Sequence, residues 1–179
     1  MRIFSLYILN KAGGLVFQKD LNDGVSKLCA NDYLVLAGTL HSVHAIATKL
    51  KPAGCPTSHE DVQTANSRII TSGKALSPNS NRQGLQHIDT DFFSLYLFQT
   101  LTGSKFVIVT SPAAKQDHSL ETPASAKGEL RKQYELVEEY FKQFYILYCD
   151  YVMKDPFYSV DMPIKSALFE AKIKAACEA

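Results

Sequence analysis

"DFFSLYLFQTLTGSKFVIVT", Asp91 to Thr110, reads as two strands joined by a tight turn. In the first run Phe93, Leu95 and Leu97 alternate with Phe92, Tyr96 and Phe98. Successive strand side chains point to opposite faces, so both faces here are apolar. A strand of that kind belongs to a sheet covered on both sides. Gly103 in "LTGS" supplies the left-handed residue that a tight hairpin needs, and "KFVIVT" at 105–110 is the return strand. "LQHIDTD" at 85–91 reads as one more strand before the pair.

A second hairpin opens the chain. "LYILNKAGGLVFQKDL", Leu6 to Leu21, places a lysine and two glycines between apolar runs. A phosphate-binding loop needs spaced glycines, then Lys, then Ser or Thr, then a helix. Here Lys11 precedes Gly13 and Gly14, no Ser or Thr follows, and Leu15-Val16-Phe17 are strand formers. Asn10 and the glycines suit a turn, so the segment gives strands at 2–9 and 15–20.

The covers of the sheet are helical. After a connector at 21–30, Asn31 or Asp32 is placed to cap a helix that runs to about Lys49. Leu36, Leu40, Val43, Ala47 and Leu50 make its apolar stripe. A second stripe of Gly38, His41, Ala45 and Thr48 is small and semi-polar, so this helix is suited to cover on more than one side. A long helix from Gly128 to Met153 repeats apolar residues at Leu130, Tyr134, Val137, Phe141, Phe144, Tyr148 and Val152. Asp155-Pro156 stops it, because Pro disfavours helix in the residue before it. Asp161 is placed to cap a last helix with Pro163 in its first turn and Ile164, Leu168, Ala171 and Ala175 buried. The order is β-β-α-β-β-β-α-α. It predicts one α+β domain over 1–179, a five-stranded antiparallel sheet between one helix and two C-terminal helices. The polar stretches at about 51–84 and 111–127 are expected to be flexible loops.

Composition removes several functions. The 179 residues carry a net charge of +1 with no basic cluster, which argues against a nucleic-acid face. Cys29, Cys55, Cys149 and Cys177 show no C-x-x-C spacing, which reads as reduced cysteine rather than a disulfide frame or zinc site. "MRIFSLYILN" lacks a long apolar core and a small-residue cleavage site, so it is read as a strand and not as a leader. No run approaches the ~20 apolar residues that span a bilayer.

The sequence offers little chemistry. His41 and His44 stand one helical turn apart, but no acid or thiol completes a metal site at the matching positions. Asp89 and Asp91 share a strand face, as paired carboxylates can for acid–base work, but no pocket supports such a role. No catalytic residue, metal or cofactor is expected. The stronger signal is a surplus of aromatics: "YELVEEYFKQFYILYCDYVMKDPFY" holds nine Tyr or Phe. A bulky core and an interface are equally good readings of it.

"NKAGGLVFQ", "DFFSLYLFQTLTGSKFVIV" and "YVMKDPFYSVDMPIKSALFE" taken together resemble the sybindin-like family, the small longin-fold subunits of the TRAPP tethering complex. The resemblance covers the chain apart from the 51–84 and 111–127 loops. It implies a non-catalytic core subunit of a guanine nucleotide exchange factor for the Rab GTPase of ER-to-Golgi transport. The implied partners are other small subunits, a second longin subunit and a palmitoyl-pocket subunit among them, and the early-secretory Rab GTPase. The implied location is cytoplasmic, peripheral at the cis-Golgi and ER-derived vesicles. Animal members carry a PDZ-like insert between strand two and the first helix; only "KDLNDGVSKLCAN" stands here, as in fungal members. His41, His44, Thr48 and Lys49 are the candidates for the GTPase platform. Tyr148, Tyr151, Phe157 and Tyr158 are those for a neighbouring subunit. A regulatory longin domain of a SNARE or adaptor protein is the competing reading, disfavoured because no SNARE helix follows.

Overall fold

The first hairpin pairs β1 (Ile3–Leu9) with β2 (Leu15–Asp20) in antiparallel register. Its turn is closed by Asn10, whose Oδ1 accepts the Gly14 N–H at 2.7 Å, with Gly13 at φ +91°. The lysine-glycine stretch is therefore a turn. The computed structural model describes residues 1–50, 84–112 and 123–178; the expected 51–84 loop lies almost wholly outside them, as does the 113–122 part of the expected 111–127 loop. After α1 (Ala30–Lys49) come β3 (His87–Asp89), β4 (Ser94–Gln99) and β5 (Lys105–Thr110). The strands form one antiparallel sheet in the order β2-β1-β5-β4-β3.

Alternation along the central strands builds two cores. Tyr7, Leu9, Leu95, Leu97, Val107 and Val109 point to the α1 side. Leu6, Ile8, Tyr96, Phe98, Phe106 and Ile108 point to the other side. There they meet α2 (Pro123–Tyr148) and α3 (Ala167–Glu178). Phe141 and Phe144 of α2 and Phe169 and Ile173 of α3 close that layer. The arrangement is the expected α+β one, a five-stranded antiparallel sheet between one helix and two C-terminal helices, consistent with a longin-like fold.

Several boundaries differ from the sequence reading. The strand expected at 85–91 is only His87–Asp89, because the Thr90 hydroxyl donates to the Phe93 carbonyl and accepts its N–H, turning the chain. Helix α2 starts at Pro123, inside the stretch expected to be loop, and not at Gly128. It ends in a π-helical turn, Cys149–Met153, where the Lys154 N–H reaches back to the Cys149 carbonyl. Asp161 caps nothing: it sits at φ +73°, and α3 begins only at Ala167. The cause is an anchor, since the Ile164 N–H donates to Val16 O and ties the linker to β2. Ser166 then does the capping, its Oγ accepting the Phe169 N–H at 3.3 Å. The buried face is correspondingly rotated to Phe169 and Ile173, and Leu168, Ala171 and Ala175 face outward. A 2.6 Å pair between Lys19 and Glu170 joins β2 to α3.

The buried tyrosines set a pH limit. Burial, helped by the Asp89 carboxylate, pushes the Tyr96 phenol up to about 12. The folded chain therefore holds this proton more tightly than the unfolded chain, where a tyrosine loses it near 10. Stability from Tyr96 is complete below pH ~10 and falls as pH rises toward ~12. Urea unfolding measured across this alkaline range should show the decline, and Tyr96→Phe should remove its share.

Candidate interaction surfaces

Helix α1 is positioned by four buried residues, Tyr33, Ala37, Leu40 and His44. They form one stripe at 4-3-4 spacing, the period that keeps side chains on one face. Partners from elsewhere in the chain hold two of them, Tyr33 and His44, against the sheet. The Tyr33 hydroxyl donates to Asp20 and accepts the Leu28 N–H. Ala37 lets the helix lie close. His44 Nδ1 lies 3.1 Å from the Leu85 carbonyl, and its Nε2 meets the Gln99 side-chain amide at 2.5 Å. Gly84, at φ +87°, packs so tightly on this imidazole that a Cβ there would lie 2.7 Å from it.

This stripe is not the one expected. Leu40 is shared and Leu36 packs partly buried against the same core, but Val43 and Leu50 face outward. The helix also starts from Cys29, which makes no side-chain cap, rather than from Asn31 or Asp32. The outward side carries Val35 (59% exposed), Val43, Ile46 (59%) and Leu50 (74%). Apart from its two histidines, the charged residues of this helix are Asp32 in the first turn and Lys49 in the last. A surface helix normally presents charge to water. Here about three turns of outer face present only aliphatic and small side chains.

Of the four platform candidates on α1, His44 is buried at 3% exposure and works as a brace between α1, Leu85 and Gln99. Its side chain is not on the surface. His41 is half-buried above Gly13, with its Nδ1 buried and unpartnered, and burial lowers its pKa, aided by Lys105 and His44. Thr48 is half-buried, its hydroxyl donating to the Ala45 carbonyl. Lys49 is exposed.

The aromatic surplus at the C-terminal side resolves mostly into core. Phe141 and Phe144 are buried, and Tyr140, Tyr145, Tyr148, Tyr151 and Tyr158 pack against the same cluster. Tyr148 meets Phe106 edge-on at 5.5 Å, and burial pushes its phenol up to about 12. Of the four neighbour-subunit candidates, only Phe157 stands free, at 94% exposure. Tyr151 and Tyr158 line a cleft beside it.

Asp89 is held in a hydrogen-bond network. Asp89 accepts the Ser94 hydroxyl at 2.5 Å and lies 2.9 Å from His87 Nε2. The other nitrogen of His87 meets the Tyr134 hydroxyl at 2.8 Å, and its ring stacks on Tyr96. This network ties β3 to α2. Asp91 sits in the turn after β3, exposed, and neither aspartate lines the nearby cleft bounded by Tyr96, Gln99, Tyr134 and Phe141. Among the described residues, no group of His, Cys, Asp and Glu is arranged to hold a metal ion, and no helix is long and apolar enough to cross a membrane.

The chain matches the sybindin-like family over residues 3–126 and 118–179. It is 34% identical over 173 residues to a trafficking protein particle complex subunit 4 of Dictyostelium discoideum, covering 97% of this chain and 94% of that one. The subunits of the same name from Bos taurus and Homo sapiens are each 30% identical, with 99% of this chain and 94% of theirs covered. Those two alignments run over 227 positions against a chain of 179 residues, so these relatives carry internal residues that this chain lacks.

Proposed function

Since the chain belongs to the sybindin-like family, we propose that it is a core subunit of a trafficking protein particle (TRAPP) complex and acts without bond chemistry of its own. Its partners are the other small subunits, and the assembled complex serves as a nucleotide exchange factor for the early-secretory Rab GTPase. Its place is peripheral, on the cytoplasmic face of the cis-Golgi and of ER-derived vesicles. The observation that carries this reading is the relation over nearly the full length of both chains. The outer face of α1 supports it. An aliphatic face without charge is costly to leave in water and is the kind of surface that a partner covers. We place the GTPase platform on this face, with Val35, Val43 and Ile46 at its centre, Lys49 at its end, and His41 and Thr48 along its margin. Exchange then follows from preferential binding of the nucleotide-free GTPase, which lowers its affinity for nucleotide by the same factor.

Native purification of the tagged chain from its own cells tests the assembly. The expected result is co-purification with other small longin-fold subunits in fixed ratio. A monodisperse chain that purifies alone would refute the reading.

A further inference from the structure

The two hairpin turns and α1 meet at one corner of the sheet. In register, Leu9, Lys105 and Gln99 lie side by side across β1, β5 and β4. Residues directly opposite on neighbouring strands share a face. Leu9 packs in the core beneath α1 and Gln99 reaches His44 on that helix, so Lys105 between them also faces α1. Lys105 is 3% exposed. Among the described residues its Nζ has one acceptor, the Gly103 carbonyl at 3.2 Å. An ammonium donates three hydrogen bonds, so two are unused.

Two more basic side chains converge here. His41, one turn before His44, stands over the first hairpin's turn, where a Cβ on Gly13 would lie 2.5 Å from its ring. Its Nδ1 is buried without a partner. Lys11, exposed in that same turn, lays its stem on Gly103, the residue whose carbonyl Lys105 holds. Neither turn, 10–14 or 100–104, contains an Asp or Glu, and α1 contains none from Tyr33 onward. The elements that build the corner thus bring cations together and supply no carboxylate. A buried charge without a partner is costly, and burial accordingly lowers the Lys105 pKa.

We propose that this corner receives a carboxylate, from an Asp or Glu of the GTPase docked on α1; the inference rests on the platform reading above. His41 lies beside Ser42 and one turn from Ala45, both exposed, so a partner that covers the outer face of α1 reaches the corner. Lys11 is exposed and its stem changes rotamer within nanoseconds, which uncovers the Lys105 ammonium. The carboxylate then accepts from both ammonium groups, and His41 Nδ1, as its N–H tautomer, adds a third donor. An apolar side chain would seal Lys105 off with its donors unused, and a cation would be repelled.

The test measures the affinity of the natively purified complex for the nucleotide-free GTPase at low and high salt, beside the thermal midpoint of the full chain. Lys105→Met keeps the stem and removes the buried charge, so it should raise the midpoint by about 3 °C. The same variant should weaken GTPase binding about tenfold and flatten its salt dependence. Lys11→Met should weaken binding about threefold, and Lys11→Arg should restore it. Parent-like affinity and salt dependence in Lys105→Met would overturn the proposal, as would a loss of binding that comes with a fallen midpoint. Val35→Asp with Ile46→Asp, measured in the same assay, separates the two readings. If that pair abolishes binding and the lysine variants bind as the parent does, this inference alone falls. If the lysine variants weaken binding and the pair does not, the chemistry of the corner stands and the α1 platform falls. A parent complex that never binds the GTPase defeats both.

Discussion

Phe106→Ala should cost about 3–5 kcal/mol and lower the thermal midpoint by roughly 10 °C or more. Phe106 is fully buried in the central strand β5. Its ring contacts Phe98 on the neighbouring strand and Tyr145 and Tyr148 on α2, at centroid distances of 6.2, 6.2 and 5.5 Å. Removing it opens a cavity where the sheet meets the long helix, walled by rings and strands that have little room to collapse. The urea midpoint of Phe106→Ala, with an unchanged slope, measures this loss. Phe106→Leu keeps most of the volume and should recover more than half of it. A midpoint unmoved by Phe106→Ala would mean that the sheet and α2 do not share this core.

The second large effect concerns the outer face of α1. Val35→Asp combined with Ile46→Asp should leave the fold intact, because both side chains already stand 59% exposed. In the assembled complex the same pair should abolish accelerated nucleotide release. Two carboxylates pressed without partners into an apolar contact cost at least about 4 kcal/mol, roughly a thousandfold in affinity. The paired readout separates the cases. Release lost together with the thermal midpoint would signal damage to the fold, and release retained at full rate would move the platform off α1. A lysine at Lys49 changed to glutamate should act more weakly, since a charge at the rim changes encounter rate more than affinity.

The sheet was legible because alternation is strict where both faces are buried. Leu95, Leu97, Val107 and Val109 leave only one register in which both cores fill, and the two turns announce themselves through Gly13 and Gly103. The phases of α1 and α3 were not legible from hydrophobicity. In α1 the buried stripe includes Ala37 and His44, a small residue and a polar one, while aliphatic Val35 and Ile46 face out. His44 is buried because Leu85 and Gln99, far away in the chain, supply its partners, and no local pattern encodes that. The near absence of charge along α1 was the sequence signal behind the interface proposed for its outer face. In α3 the linker hydrogen bond from Ile164 to Val16 sets the start of the helix, a tertiary contact that the Asp161-Pro163 pair imitates without making. The aromatic surplus was legible in amount but not in destination, since Tyr148 and Phe157 look alike as sequence. One meets Phe106 in the core, and the other stands in water at the mouth of the cleft.

Nucleotide release is the measurement that bears most directly on the proposed role. The early-secretory Rab GTPase is loaded with a fluorescent nucleotide and mixed with three samples: the isolated chain, the natively purified complex, and the complex prepared without this chain. The expected result is release accelerated by the complete complex alone. Acceleration of equal size in the complex that lacks this chain, or none with the complete complex, would contradict it.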